Sequence, residues 1–214
     1  MIKGIIFDLD GTTLSTLCDI QGSLNIVLEN HGYLKKNYDE VRLAIGKGSR
    51  NLIKDCLPLN TKDEIIDTLL NEYIEIYGHH YDVETRPYEG IKELFNELEE
   101  KGIVLAINSN KPDKYTKNLI KSHYPGNNFI AVIGAREGIP YKPDPYSANE
   151  IIKKMGLLKE EVIYVGDSES DIQTGHNAHL KVVGCSYGFR DKQTLMNNNA
   201  DIIIDTPLDL LKVL

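Results

Sequence analysis

Cysteine is scarce in this chain: Cys18, Cys56 and Cys185 are scattered through 214 residues. An odd, dispersed set excludes a disulfide framework and fits a reducing compartment, so all three are expected to be buried or inert thiols. Long apolar runs are missing as well. IVLAI at 103–107 is among the longest, far short of the roughly 18 residues a membrane span needs. Basic charge is in deficit, since 24 Lys and Arg against 32 Asp and Glu leave a net charge of -8, with acids spread along the whole chain. No basic face is suggested that would follow a nucleic-acid backbone or an anionic membrane, so neither is an expected partner. Met1-Ile2-Lys3 leads straight into an apolar segment with no signal-peptide pattern, which makes the cytoplasm the expected location. No internal repeat and no low-complexity tract interrupts the chain. What remains is a globular protein whose 41% hydrophobic content can bury a real core, in one large domain or one domain carrying a smaller one.

Two textures alternate along it. Short, nearly all-apolar runs occur at IKGIIF (2–7), IVLAI (103–107), FIAVI (129–133), VIYVG (162–166), KVVGC (181–185) and DIIID (201–205), as strands buried on both faces do. Helical stripes lie between most of them, for example Ile91, Leu94, Phe95 and Leu98, or Ile151, Ile152 and Met155 after Pro145. Strand, helix, strand in repetition predicts an α/β core, a parallel sheet with helices on both faces. The stretch 15–84 departs from this pattern. It carries helical stripes only, such as Ile20, Leu24, Val27 and Leu28, and predicts an all-helical insert, with Gly78 and HHYDVETRP as its return linker. The expected organisation is a discontinuous core, 1–14 and 85–214, around a helical domain, 15–84.

In open parallel sheets ligands bind beyond the carboxyl ends of the strands. The first strand is followed by DLDGT, the second by NSNKPD, the third by YKPDP and the fourth by GDSESD. Each segment has an ordinary structural reading. Ser168 and Asp171 resemble a capping box, Asp144 and Pro145 a helix start, and NSNKPD a polar turn opening a helix at Pro112. Their succession on four strand ends favours a site. Asp8 and Asp10, two apart in extended backbone, lean to one side, where like charges repel and something positive is required. Asp167 and Asp171 bring further hard oxygen ligands, suited to Mg2+ and not to zinc. Lys142 adds fixed positive charge. Gly11 and its neighbouring N–H groups can approach an anion closely, and Thr12 and Ser109 offer hydroxyl donors. Acids, a divalent cation, a lysine and backbone donors together describe a phosphoryl-transfer site.

DLDGT, Ser109-Asn110, Lys142 in KPDP and GDSESD resemble the four ordered motifs of the haloacid dehalogenase superfamily of phosphohydrolases. The resemblance implies a Rossmann-like sheet with the first strand central and the helical insert as a cap. It implies Asp8 as nucleophile and Asp10 as acid and then base, the latter needing nearby negative charge or limited solvation. It implies Mg2+ held by Asp8, the Asp10 backbone carbonyl and Asp167, with Asp171 nearby. Ser109 and Lys142 would hold phosphoryl oxygens, and Gly11, Thr12 and Asn110 would line the substrate. An acid at Asp10 favours transfer of phosphate to water, and the absence of His from STLCDIQGS favours phosphatase over mutase.

The expected substrate is a small phosphorylated metabolite. In the insert, Arg42, Lys47 and Arg50 flank Gly46 and Gly48, a cationic turn suited to a second anionic group, or else a corner with solvated charges. This arginine-then-GxG pattern resembles phosphoglycolate phosphatases, as do YGFRD at 187–191 and the ADIIIDTPLDLL segment. Pyrophosphatase, sugar-phosphate phosphatase or phosphoglucomutase chemistry stands as the alternative within the superfamily, and a non-catalytic phosphate-binding or phospho-acceptor protein as the alternative outside it. His79 and His80 read as solvated. Thr13 and Ser15 stand where the family usually has Leu and often Asp, at the exit toward the insert.

Overall fold

The computed structural model describes residues 1–214, which fold as two compact units, 1–15 with 87–214 and 16–86. In the first, six parallel strands line up in the order β5-β4-β1-β6-β7-β8. They are β1 (Gly4–Phe7), β4 (Val104–Pro112), β5 (Phe129–Ala135), β6 (Val162–Gly166), β7 (Lys181–Cys185) and β8 (Ile202–Ile204). The two-residue strands β2 (Leu14–Ser15) and β3 (Arg86–Pro87) mark where the chain leaves and returns. This is the α/β architecture expected from the apolar runs, with the first strand inside the sheet.

Alternation along the strands gives each face its own core. Ile6, Ala106, Ile133, Tyr164 and Val182 pack with Ala148, Ile151 and Ile152 of α7 (Tyr146–Met155) and Ile172 of α8 (Glu169–Asn177). One residue further on, Phe7 meets Phe95 of α5 (Ile91–Glu100) edge-on at 5.2 Å, and Phe95 meets Tyr124, just beyond α6 (Asp113–His123), at 5.0 Å. Burial on both sides is why these strands read as unbroken apolar runs. The short α9 (Lys192–Asn197) adds Leu195 to the first of these cores.

Register positions the site. Phe7 pairs with Ile107 on one side and with Val165 on the other, so the end of β1 is level with these residues of β4 and β6. The residues that follow, Asp8, Asn108 and Gly166, therefore stand side by side at one rim, where the chain order reverses about β1. Strand β4 runs further than expected. NSNKP continues it to Pro112, with a register shift against β5 between Asn108 and Pro112, so the segment is not a turn.

The second unit contains four helices: α1 (Leu17–Asn30), α2 (Tyr38–Ala44), α3 (Ser49–Asp55) and α4 (Asp63–His80). Ile20, Leu24, Val27 and Leu28 of α1 are buried, as are Ile66, Leu69, Tyr73 and Tyr77 of α4. Gly78 lies inside α4, not in a linker, because the helical register of Tyr73 and Tyr77 carries on to His80. His79 and His80 are exposed. The return is stapled by Asp19, a buried residue whose carboxylate accepts the N–H groups of Val83, Glu84 and Thr85 and the Thr85 hydroxyl, the last at 2.7 Å. Cys56 and Cys185 are buried, but Cys18 is exposed, since it falls on the outer side of the α1 stripe. No helix is long and apolar enough to cross a membrane.

Candidate active site

At the end of β1 the chain turns sharply through Asp8-Leu9-Asp10-Gly11. Asp8 is buried, its N–H bound to the Val165 carbonyl at 2.9 Å. Lys142 reaches it from the loop after β5. The ammonium is 2.7 Å from Asp8 Oδ1 and 2.7 Å from Asp171 Oδ1, and it donates to the Asn108 carbonyl at 3.2 Å. Asp8, Asp167 and Asp171 each offer an oxygen within 4.8 Å of the others.

Each acid is oriented by its own partners. Asp171 sits in the first turn of α8, where its Oδ2 accepts the Ser168 N–H and hydroxyl, so the capping box and the charge cluster are the same residue. Asp167 accepts from the Thr12 hydroxyl at 2.9 Å and from the Phe189 N–H at 2.7 Å. Packing around it is close. A Cβ on Gly11, whose φ is +93°, would stand 2.3 Å from Asp167 Oδ2, and one on Gly188 would stand 2.4 Å from Asp167 Cβ. Both positions therefore need glycine.

Electrostatics follow from crowding in a dry place. Burial pushes the Asp8 carboxyl well above the usual carboxylate range; the Asp171 charge adds to the rise, and Lys142 opposes it. Burial also pushes Asp167 up to about 7, again with Asp171 adding, while the Phe189 N–H and the Thr12 hydroxyl pull the other way. For Lys142, burial acts downward, but Asp171 and Asp8 outweigh it and hold the ammonium well above the ordinary lysine value. Three clustered carboxylates, two of them paired with one ammonium, leave an excess of negative charge that a divalent cation would neutralise. The donors are all carboxylate oxygens, which fits Mg2+ and gives zinc no nitrogen or sulfur.

Asp10 lies at the same rim with different company. Its Oδ1 accepts from Lys111 Nζ at 2.8 Å, and the Lys111 side chain is 3% exposed. Nearby negative charge or limited solvation was expected for Asp10; its side chain is 12% exposed, and its neighbour is a buried cation. Lys111 escaped sequence reasoning because NSNKPD looked like a turn. In an extended strand Ser109 and Lys111 project to one side, the spacing argument already applied to Asp8 and Asp10. Ser109 is buried, and its Oγ accepts the Lys111 N–H at 3.1 Å.

Several expected substrate contacts are committed elsewhere. The Gly11 N–H donates to the Leu14 carbonyl and the Thr12 N–H to Leu9, closing the turn on itself, while the Thr12 hydroxyl holds Asp167. Asn110 clamps the Lys142 backbone, its Nδ2 donating to the Lys142 carbonyl at 3.1 Å and its Oδ1 accepting the Lys142 N–H at 2.8 Å. In the helical unit, Arg50 donates to Asp67 and Asp63 at 2.8 Å each, and Arg42 donates to Asp39 at 3.2 Å. Their charge is met by neighbouring acids within that unit. Lys47 is exposed. Thr13, unusual by the resemblance, is fully buried; its hydroxyl lies 3.3 Å from the Asp8 and Leu9 carbonyls, and its own carbonyl accepts from the Tyr124 hydroxyl at 2.6 Å. A further buried cation, Arg190, pairs with Glu169 at 2.9 Å beside Phe189.

Known proteins are similar to this one over the whole chain. A phosphoglycolate phosphatase from Vibrio cholerae is 31% identical over 221 residues, covering 99% of this chain and 96% of its own. An N-acetylmuramic acid 6-phosphate phosphatase from Pseudomonas aeruginosa is 26% identical, covering 100% and 95%. Among solved structures, a predicted phosphoglycolate phosphatase from Haemophilus somnus superposes with a TM-score of 0.91 at 27% identity, over 99% of this chain and 97% of that one. Residues 5–185 match the sequence model of the haloacid dehalogenase-like hydrolases, the family to which this chain belongs.

Proposed function

We propose that the chain is a Mg2+-dependent phosphatase acting on a small phosphomonoester through an aspartyl-phosphate, with phosphoglycolate as its substrate. The observation that carries the reading is the buried Lys142 ammonium tying Asp8 to Asp171 beside Asp167, with Asp10 at the same rim. An Asp8 carboxylate oxygen attacks phosphorus in line as the ester P–O bond breaks. Asp10 gives its proton to the departing oxygen. Water then attacks the aspartyl-phosphate, Asp10 takes its proton, and Asp8 is released with inorganic phosphate. Ser109 and Lys142 hold the phosphoryl oxygens, and Lys142 also keeps the carboxylates from repelling one another. Asp8, Asp167 and the Asp10 backbone carbonyl would hold Mg2+, with Asp171 behind them, and the cation would supply charge neutralisation for the transferring group.

Phosphoglycolate enters through the relatives, since that is the substrate named for the Vibrio cholerae protein. Turnover of a chromogenic aryl phosphate in Mg2+, abolished by Asp8→Asn, tests the chemistry. A panel of phosphoglycolate, pyrophosphate, hexose phosphates and nucleotides tests the substrate. No turnover of any phosphate ester would replace the enzyme with a phosphate-binding protein.

A further inference from the structure

Lys111 is a buried cation that the reaction just described leaves without a task. Its Nζ is 2.8 Å from Asp10 Oδ1, and its side chain is nearly inaccessible. An ammonium is costly to bury, and one held beside the proton donor acts on whatever lies next to the leaving oxygen. We infer that Lys111 is the specificity determinant for the leaving group, recognising an anionic substituent, a carboxylate, on the ester carbon itself.

Distance sets the substrate class. An acid that protonates the ester oxygen stands one hydrogen bond from it, and Lys111 stands one hydrogen bond from that acid. Where one Asp10 oxygen serves both, two such bonds in series put the ammonium within roughly 6 Å of the ester oxygen. A carboxylate carbon two bonds beyond that oxygen falls inside this radius. An anionic group several carbons further out does not, and a sugar hydroxyl in the same place brings no charge. The arginine first expected to do this work, Arg50, already has two acids of its own helical unit against it. The class is therefore phosphate monoesters of short 2-hydroxy acids.

The inference rests on the phosphatase reading, and the test separates the two. kcat/KM is measured for phosphoglycolate and for 2-hydroxyethyl phosphate, which has the same skeleton with an alcohol in place of the carboxylate. Wild-type protein should prefer the carboxylate, and Lys111→Gln should cut that preference roughly 10- to 100-fold, the worth of one charge-assisted hydrogen bond. Lys111→Arg should keep most of it. Equal losses on both esters in Lys111→Gln, with the ratio intact, would mean that Lys111 acts only through Asp10, and the inference would fall. Should Lys111→Gln not fold, the wild-type ratio and Lys111→Arg decide: aryl phosphate turnover without preference for the carboxylated ester refutes the inference alone. Wild-type protein that hydrolyses no ester refutes the phosphatase reading, and this inference with it.

Discussion

Replacing Lys142 with Met keeps most of the aliphatic stem and removes the ammonium that pairs with both Asp8 and Asp171. Two contacts of 2.7 Å are lost, to side chains that are 8% and 0% exposed. Breaking a buried pair by removing one partner costs about 3–5 kcal/mol, because the remaining charge is left uncompensated. Here two carboxylates lose the same partner, so in EDTA at neutral pH urea unfolding of Lys142→Met should show a loss in that range with an unchanged m-value. Two conditions should shrink the gap. Acid should do so, because the carboxyls can take up protons in place of the lost ammonium. Mg2+ should also do so: at 100 times its Kd a bound ligand stabilises by about 2.7 kcal/mol, and the variant, with more uncompensated charge, should bind it more tightly than wild type. A loss below about 1 kcal/mol in EDTA, the size of an exposed ion pair, would refute the reasoning. A gap that neither acid nor Mg2+ narrows would refute it as well.

The raised carboxyls of the wild-type protein give a second expectation. Asp167 is pushed from an ordinary 3.8 up to about 7, and Asp8 is also raised, so between these values the folded state binds more protons than the unfolded state. Stability in EDTA should therefore fall as pH rises from about 4 to about 7. Saturating Mg2+ should flatten this slope, and a metal-free protein whose midpoint urea concentration rises over that range would contradict it. The Asp19 staple gives a third. Asp19→Ala strands three N–H groups at Val83, Glu84 and Thr85; Thr85 is buried, and a buried unsatisfied donor costs about 1–3 kcal/mol. Hydrogen exchange at those amides should accelerate and proteolysis should concentrate at 81–86, whereas unchanged protection would show that the staple is dispensable.

The sheet was legible because burial on both faces writes β-branched runs with little interruption, and the helical insert because its stripes have a single period. Candidate-site residues were legible where chemistry and strand order coincide: Asp8 follows β1, Lys142 follows β5, and Asp167 and Asp171 both follow β6. Partnerships between residues distant in sequence were not legible. Nothing local says that Lys111 meets Asp10, that Thr12 turns to Asp167, or that Asn110 grips the Lys142 backbone. Strand length hid Lys111, since polar residues that continue a strand look like those that end one. Charge compensation hid the state of Arg50, because Asp63 and Asp67 belong to a different helix from the glycine turn that drew attention to it. Gly78 misled for a simpler reason: a glycine is tolerated in a helix when its neighbours, here Tyr73 and Tyr77, hold the packing.

The central claim is that Asp8 carries the phosphoryl group. It is tested most directly by mixing the enzyme and Mg2+ with a phosphate ester labelled on phosphorus, quenching in acid within a single turnover, and mapping the label by peptide digestion. The account predicts a base-labile label on the peptide that contains Asp8, absent in Asp8→Asn and accumulating when Asp10 is replaced by Asn if an activated aryl ester is supplied. Turnover with no protein-bound label, or a label that maps to any other residue, would contradict it.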